Sequence, residues 1–104
     1  MKIAIPASTD KTDGMLDDRF GRCPYFCFYN TETGLIDFKE NNHQNGAGGV
    51  GPQVSEFLAA NGVNRVYAVE VGPKAKGVLD KLNILVQTIS HGQTIKQIID
   101  SINH

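Results

Sequence analysis

The C-terminal half of the chain alternates short apolar segments with segments of helical spacing, and this alternation restricts the fold more than any other feature. Segments 65–71 and 83–89 are short and rich in β-branched residues, which predicts strands. Segments 72–82 and 94–104 carry apolar residues at i, i+3, i+4 and i+7, which predicts helices. Strands that are joined through helices lie parallel in one sheet, with right-handed crossovers. The chain is therefore predicted to be an α/β protein.

The N-terminal half adds three strands and one helix. Segment 2–8 is almost continuously apolar, as expected of a central strand that is buried on both faces. The aromatic segment 24–30 and the alternating segment 35–41 flank the turn "TETG" and form a β-hairpin. Pro52 suits the first position of a helix that ends at Gly62. The prediction is a mixed five-stranded sheet in the order 3-2-1-4-5, with strand 2 antiparallel, flanked by three helices.

This topology brings distant loops to one edge of the sheet. The carboxyl ends of strands 1, 3, 4 and 5 point to the same side, where loops 8–24, 41–51, 72–76 and 90–94 meet. Ligands of open α/β sheets usually bind at such an edge, so we expect the functional site there. The candidate residues that the topology places at this edge are Cys23, His43, Gly46 to Gly51, Lys74, Lys76 and His91.

Both cysteines fall in the stretch "RFGRCPYFCFY". An extended chain separates residues four positions apart by about 13 Å, which exceeds the limit of about 7 Å between the Cα atoms of a disulfide. The same separation keeps the two sulfur atoms from binding one metal ion. Cys27, which lies among aromatic residues in mid-strand, is predicted to be a buried core residue. Cys23 lies where the loop meets the strand, and the nearby Arg19 and Arg22 favour its thiolate form.

The glycine-rich stretch "GAGGVG", residues 46–51, precedes the first predicted helix. It satisfies the pattern GxGxxG, but a dinucleotide fingerprint follows directly on a buried strand, whereas a polar loop intervenes here. The glycines instead let backbone N–H groups at a helix N-terminus approach an anion. Lys74 lies in the first turn of another helix, where an anionic ligand would offset its unfavourable interaction with the helix dipole. The alternative for this lysine is a solvated side chain.

His43 lies beside the glycine run, where it either ligates a metal or is solvated. The cysteine and histidines at this edge suit zinc or iron, but they lack the close paired spacing of a structural zinc site. A two-metal nuclease would need carboxylates on the central strands, and the first strand has none. No Ser-His-Asp or Cys-His pair stands out either, so the sequence does not predict an enzyme.

The composition is that of an ordinary globular protein, with 104 residues and a formal net charge of −1. This length predicts one domain, residues 1–104. The charge provides no broad attraction for nucleic acid or for an anionic membrane, so neither is expected as a partner. The N-terminus resembles neither a signal peptide nor a membrane span, and we expect a soluble cytoplasmic protein with reduced cysteines.

The stretches "RFGRCPYF", "GVNRVYAVEVGPKAKGVL" and "LVQTISHGQTIKQII", with the pair "EN" before a loop that contains histidine and glycine, together resemble the dinitrogenase iron-molybdenum cofactor biosynthesis family. The resemblance covers essentially the whole chain and implies a ribonuclease H-like three-layer fold. The family includes small cofactor carriers and the C-terminal domain of the cofactor-assembly protein, which bind iron-sulfur precursors or the finished cofactor and are not regarded as enzymes. Carriers of the finished cofactor often have a histidine directly before the "FG", where this chain has Arg19.

The leading hypothesis is therefore a non-enzymatic carrier of an anionic iron-sulfur or iron-molybdenum type cluster, with cluster-assembly or acceptor proteins as partners. Cys23 and His43 are the expected metal ligands. The residues expected to contact or neutralise the cluster are Arg19, Gly21, Arg22, Gly46, Gly48, Gly49 and Lys74. One alternative is a metal-independent module for protein interaction or for sensing an anion or nucleotide. Another is a redox-active thiol protein, which requires a low pKa at Cys23.

Overall fold

The structure, a computed structural model, describes residues 1–103 and contains five strands and three helices. The strands are β1 (Lys2–Ala7), β2 (Tyr25–Asn30), β3 (Ile36–Glu40), β4 (Arg65–Ala68) and β5 (Leu85–Thr88). The helices are α1 (Val50–Ala60), α2 (Pro73–Lys81) and α3 (Ile95–Ile102). Strands and helices follow one another in the predicted order.

All five strands form one sheet in the order β3-β2-β1-β4-β5. Strand β2 runs antiparallel to β1 and β3, whereas β4 runs parallel to β1 and β5. The register pairs Ile5 of β1 with Cys27 of β2, and Ala4 of β1 with Val66 of β4. The predicted mixed sheet with three helices is thus confirmed.

The sheet separates two apolar cores, and β1 contributes to both. Ala4 packs on one face with the apolar side chains of α1 and α2. Ile3 and Ile5 pack on the other face with those of α3. All three β1 side chains are at most 1 % exposed, and burial of each isoleucine contributes about 1.5–3 kcal/mol. The strand is therefore buried on both faces, as its apolar sequence predicted.

Helix α1 begins earlier than predicted, at Val50 rather than at Pro52. Gly49 precedes the helix with a φ of 64°, in the left-handed region that glycine adopts without steric conflict. Val50 is buried in the core with α1 and α2, and this burial favours the earlier start. Pro52 is tolerated because the N–H groups of the first turn form no intrahelical hydrogen bonds.

The strands towards the sheet edges differ from the prediction. Strand β4 ends at Ala68 instead of continuing to position 71, because its partner β5 ends opposite, at Thr88. Strand β3, which was expected to be half exposed, is exposed along most of its length, and only Phe38 is partly buried. An edge strand has a partner on one side only, so its side chains find fewer neighbours to pack against.

Helix α3 begins with the predicted capping box. The Thr94 hydroxyl accepts a 3.1 Å hydrogen bond from the backbone N–H of Gln97, and the Gln97 side-chain oxygen accepts one of 2.8 Å from the Thr94 N–H. The longest helix described within residues 1–103, α1, has 11 residues. No helix in that range has the length and apolar character that crossing a membrane requires.

We predict that Thr94→Ala lowers the free energy of unfolding by about 1 kcal/mol, because the Gln97 N–H loses its acceptor. Urea denaturation measures this change. Thr94→Ser keeps the hydroxyl and should differ from wild type by only a few tenths of a kcal/mol. Equal losses in the two variants would show that the hydroxyl is not the source of the stability.

Candidate functional site

A cleft of about 770 Å³ opens at the edge of the sheet where the topology predicts the functional site. Its walls are the loop after β1, the start of α1 and the start of α2. The lining residues are 18–22, 49–52 and 72–75, together with Glu70. Three segments that are distant in the sequence thus meet here, and each follows the carboxyl end of a strand.

Two helices begin at this cleft. Helix α1 follows Gly49 and helix α2 follows Gly72, and neither glycine provides a side-chain cap. Neither helix has an acidic residue in its first turn. By contrast, α3 has a complete capping box and does not line the cleft. The N–H groups in the first turns of α1 and α2 are therefore available to an anion, and the two helix dipoles add partial positive charge. Because Pro52 and Pro73 have no N–H group, these donors are Val50, Gly51, Lys74 and Ala75.

Small residues let the walls of the cleft approach one another closely. A Cβ atom at Gly51 would lie 2.9 Å from the Cβ of Ala75 in α2, which is closer than such atoms pack. On the third wall, a Cβ atom at Gly21 would lie 3.2 Å from Cγ1 of Val50. Larger side chains would push the walls apart, so Gly51 and Gly21 set the spacing of the donors around the cleft.

Charged side chains of both signs surround the cleft, namely Arg19, Arg22, Lys74, Asp18 and Glu70. Nη1 of Arg22 donates a 3.0 Å hydrogen bond to the carbonyl oxygen of Gln44, which anchors this guanidinium. Lys74 is exposed, and none of the ion pairs among residues 1–103 involves it. The cleft therefore combines cations with backbone N–H donors.

Asp17, which the sequence did not single out, holds the side chain of Arg19. Its Oδ1 accepts hydrogen bonds from Nε of Arg19 at 3.0 Å and from the backbone N–H of Arg19 at 2.8 Å. Its Oδ2 accepts one from Nη2 at 2.8 Å. Burial disfavours the charged carboxylate, but the hydrogen bonds and the positive charge of Arg19 prevail and lower the pKa of Asp17. The charge of Arg19 is therefore already paired.

The sequence placed Cys23 among the candidate residues at the edge of the sheet, but in the structure its side chain does not reach the surface. Its side chain is 0 % exposed, and Sγ donates a 3.3 Å hydrogen bond to the carbonyl oxygen of Phe20. Burial, reinforced by the negative charge of Asp17, raises the pKa of Cys23 to about 12. The structure therefore does not favour the thiolate that Arg19 and Arg22 suggested, because the apolar core covers the sulfur and the two arginines bind other partners.

The two cysteines lie on opposite faces of the sheet. Cys23 packs in the core formed with α1 and α2, whereas Cys27 packs in the core formed with α3. Both thiols are free, as the strand geometry predicted. Cys27 is 0 % exposed, which confirms its predicted core position. Burial, together with the charge of Asp37, raises the pKa of Cys27 to about 12.

His43, the second predicted metal ligand, is not among the residues that line the cleft. Its ring packs edge-on against Phe57 of α1, with the ring centroids 6.4 Å apart. Within residues 1–103, no group of three or more His, Cys, Asp or Glu side chains is arranged to hold a metal ion. The structure therefore does not assemble the predicted pair of Cys23 and His43 into a metal centre.

The glycine run contributes to the cleft only through its last residues, from Gly49 onwards. Gly46 serves packing, since a Cβ atom there would lie 2.9 Å from Cγ2 of Val50. Gly48 is exposed and does not line the cleft. The pattern GxGxxG thus overstates the number of glycines at the site.

Lys76 and His91, two further candidates at this edge, do not line the cleft either. Lys76 forms an ion pair of 2.6 Å with Asp80, one turn further along α2. His91 lines a second, smaller cavity of about 450 Å³. This cavity adjoins the cleft, because Asp18 and Arg19 line both.

Asn41 is a second residue to which the sequence assigned no role. It is 0 % exposed, and its Nδ2 donates hydrogen bonds to the carbonyl oxygens of Gly21 and Cys23, both at 2.9 Å. Its Oδ1 accepts a 3.0 Å hydrogen bond from the backbone N–H of His43. One side chain thus ties the loop at 18–22 to the loop that leads into α1.

The sequence of this chain matches the model of a known protein family. The dinitrogenase iron-molybdenum cofactor family model matches residues 1–104. The chain therefore belongs to this family, which confirms the resemblance found in the sequence.

Similar proteins come from archaea and bacteria. An uncharacterized protein of Methanocaldococcus jannaschii is 36 % identical, over 96 % of this chain and 86 % of that protein. The apo form of the orange protein from Desulfovibrio gigas superposes with a TM-score of 0.92 at 29 % identity, over 98 % of this chain and 86 % of that one. A NifB-like protein from Thermotoga superposes with a TM-score of 0.84 at 33 % identity, with the same coverage of both chains.

We predict that Asn41→Ala destabilises the protein by about 2–3 kcal/mol, because one buried and one partly buried carbonyl group lose their donor. Asn42→Ala is the matched control, since Asn42 is exposed, and it should change stability by no more than about 0.5 kcal/mol. Chemical denaturation of both variants measures the difference. Equal stabilities would mean that Asn41 does not hold the two loops together.

We also predict that both cysteines resist alkylation in the folded protein. A thiol with a pKa of about 12 is a thiolate in only about one molecule in ten thousand at pH 8. Iodoacetamide should label the native protein at least about 100-fold more slowly than the urea-unfolded protein, as measured by mass spectrometry. Rapid native labelling of Cys23, with an apparent pKa below 8, would instead support the redox-active thiol.

Proposed function

We propose that the cleft binds an anionic iron-sulfur or iron-molybdenum type cluster, and that the protein carries this cluster during cofactor assembly or delivery without acting as an enzyme. The observation that carries the proposal is the convergence of two uncapped helix N-termini and several basic side chains on one cleft. Membership of the dinitrogenase iron-molybdenum cofactor family supports this class of ligand.

In this proposal the cluster is held by hydrogen bonds and charge. The first N–H groups of α1 and α2 donate to the sulfides or other anionic groups of the cluster. Arg22 and Lys74 balance its negative charge. Gly21 and Gly49 let the backbone approach the cluster closely. Phe20, which also lines the cleft, contacts the less polar parts of the cluster. Arg19 contributes the part of its guanidinium that Asp17 leaves free.

Cys23 and His43 take no part as metal ligands in this proposal. A bond from Cys23 to iron would require the loss of its hydrogen bond to Phe20 and the exposure of a sulfur that is now fully buried. His43 lies against Phe57, outside the cleft lining. Gly46 and Gly48 shape the loop that leads into α1 and do not touch the cluster.

The partners are proteins that assemble the cluster or accept it, and the exchange takes place in the cytoplasm. The sheet is interpreted as ribonuclease H-like, with residues 1–104 as one domain.

A second candidate function is the binding of an anion or nucleotide without metal. It is favoured by one observation, namely that Gly51, the last glycine of the pattern GxGxxG, lines the same cleft as Glu70, an acidic residue about 20 positions further along the chain. Backbone N–H groups at a helix N-terminus can donate hydrogen bonds to a phosphate as well as to a cluster. The two functions are distinguished by the ligand that the cleft retains.

We predict that the anaerobically prepared protein retains iron after incubation with isolated iron-molybdenum cofactor, or with iron and sulfide, and gel filtration. Lys74→Gln should weaken this binding about tenfold, because a charge-assisted hydrogen bond of about 1.4 kcal/mol is lost. Lys76→Gln is the matched control and should bind within about twofold of wild type, since Lys76 pairs with Asp80 and does not line the cleft. Cys23→Ala should bind as wild type does.

Metal analysis and absorption spectra provide the readout. A wild-type protein that retains no metal under any of these conditions contradicts the proposal, and retention of a nucleotide instead, weakened by Lys74→Gln, supports the second candidate. A folded Cys23→Ala variant that alone loses the metal would show that the thiol is a ligand after all. Thermal unfolding checks that each variant is folded.

A further inference from the structure

Arg19 stands between the cleft and the second cavity, because its side chain lines both. The side chain is 64 % exposed, whereas Asp17, which holds it, is only 6 % exposed. The guanidinium is thus a surface group that is fixed from below by a buried carboxylate. Such an arrangement fixes the position of the guanidinium and leaves the Asp17–Arg19 pair with a net charge near zero.

The geometry of the pair leaves Arg19 only partly available. Nε and Nη2 both donate to Asp17, at 3.0 and 2.8 Å, and the Nη1 group has no partner among residues 1–103. Oδ1 of Asp17 also accepts the backbone N–H of Arg19, so the main chain and the side chain are fixed together. Ser8 adds a weaker 3.5 Å contact to Oδ2. The carboxylate therefore occupies the place at Arg19 that a single small anion would otherwise take.

We propose that Asp17 is a specificity-determining residue, which keeps Arg19 paired so that small inorganic anions bind the cleft poorly compared with a large anionic ligand. The part of this inference that concerns the cluster rests on the proposed function. The part that concerns small anions rests only on the geometry of Asp17 and Arg19.

The size of the ligand determines how much affinity it loses through the pairing of Arg19 with Asp17. A phosphate ion reaches one or two donors at a time. The pairing of Arg19 with Asp17 therefore removes a large share of the attraction between phosphate and the cleft. A ligand that fills much of the 770 Å³ reaches Arg22, Lys74 and both helix starts together. It depends least on Arg19, and its affinity suffers least from the presence of Asp17.

Titration with inorganic phosphate at low ionic strength, followed by the backbone amide resonances, tests this inference. Asp17→Asn should tighten phosphate binding about tenfold, because it frees the charge of Arg19. Asp18→Asn is the matched control; Asp18 also lines both cavities but does not bind Arg19. It should tighten binding by no more than about threefold. In an Arg19→Gln background, Asp17→Asn should change binding by no more than about twofold.

Equal tightening by Asp17→Asn and Asp18→Asn would overturn the inference, since charge alone would then explain the effect. An unchanged phosphate affinity in Asp17→Asn would overturn it as well. The affinity for isolated iron-molybdenum cofactor should change by no more than about threefold in Asp17→Asn. If no variant binds the cofactor while phosphate behaves as expected, the proposed function fails and the inference stands. If the variants bind the cofactor but phosphate does not behave as expected, only the inference is contradicted.

If Asp17→Asn does not fold, the wild-type protein carries the test. Because Asp17 holds Arg19, an excess of phosphate should shift the amide resonance of Gly51 at the start of α1 but leave the Nε–H resonance of Arg19 in place. A comparable shift of the Arg19 resonance would show that phosphate displaces Asp17, which contradicts the proposal.

Discussion

The contact between Gly51 and Ala75 is the constraint on which the rest of the site depends. Without a Cβ atom at Gly51, the first turns of α1 and α2 lie side by side, and the donors of both helices reach one cleft. Each helix is anchored in the same core, α1 through the fully buried Val54 and α2 through the fully buried Leu79. The donors are thus held by packed secondary structure, and a ligand needs little reorganisation of the backbone to use them.

The third wall of the cleft, the loop at 18–22, is adapted to an anion in a different way. The carbonyl oxygens of Phe20, Gly21 and Cys23 all accept hydrogen bonds inside the protein, from the Cys23 thiol or from the side chain of Asn41. Carbonyl oxygens carry partial negative charge. Because internal donors hold these oxygens away from the cleft, they would repel an anion there less strongly. The buried thiol of Cys23 is thus one internal hydrogen-bond donor among several, and its burial disfavours the thiolate form.

The sheet could be predicted from the sequence because periodicity and the handedness of crossovers act over short segments. The core position of Cys27 followed from its aromatic neighbours in a strand. The burial of Cys23 could not be foreseen, since it depends on how Phe20 and Asn41 close over the loop. Asn41 belonged to the pair "EN" in the family resemblance, but no role followed for it, because an asparagine in a polar loop is ordinary until its amide is found buried. Asp17 lies two residues from its partner, but acidic and basic neighbours are common in loops.

A cleft built from many moderate contacts suits a ligand that must also leave. A metal–thiolate bond would have to be exchanged at the metal before the proposed cargo could pass to an acceptor. Hydrogen bonds and ion pairs can instead be replaced one after another, and each contact of about 1.4 kcal/mol that an acceptor takes over lowers the remaining affinity about tenfold. Asp18 and Glu70 at the cleft work in the same direction, because their charges oppose an anion and limit how tightly it binds.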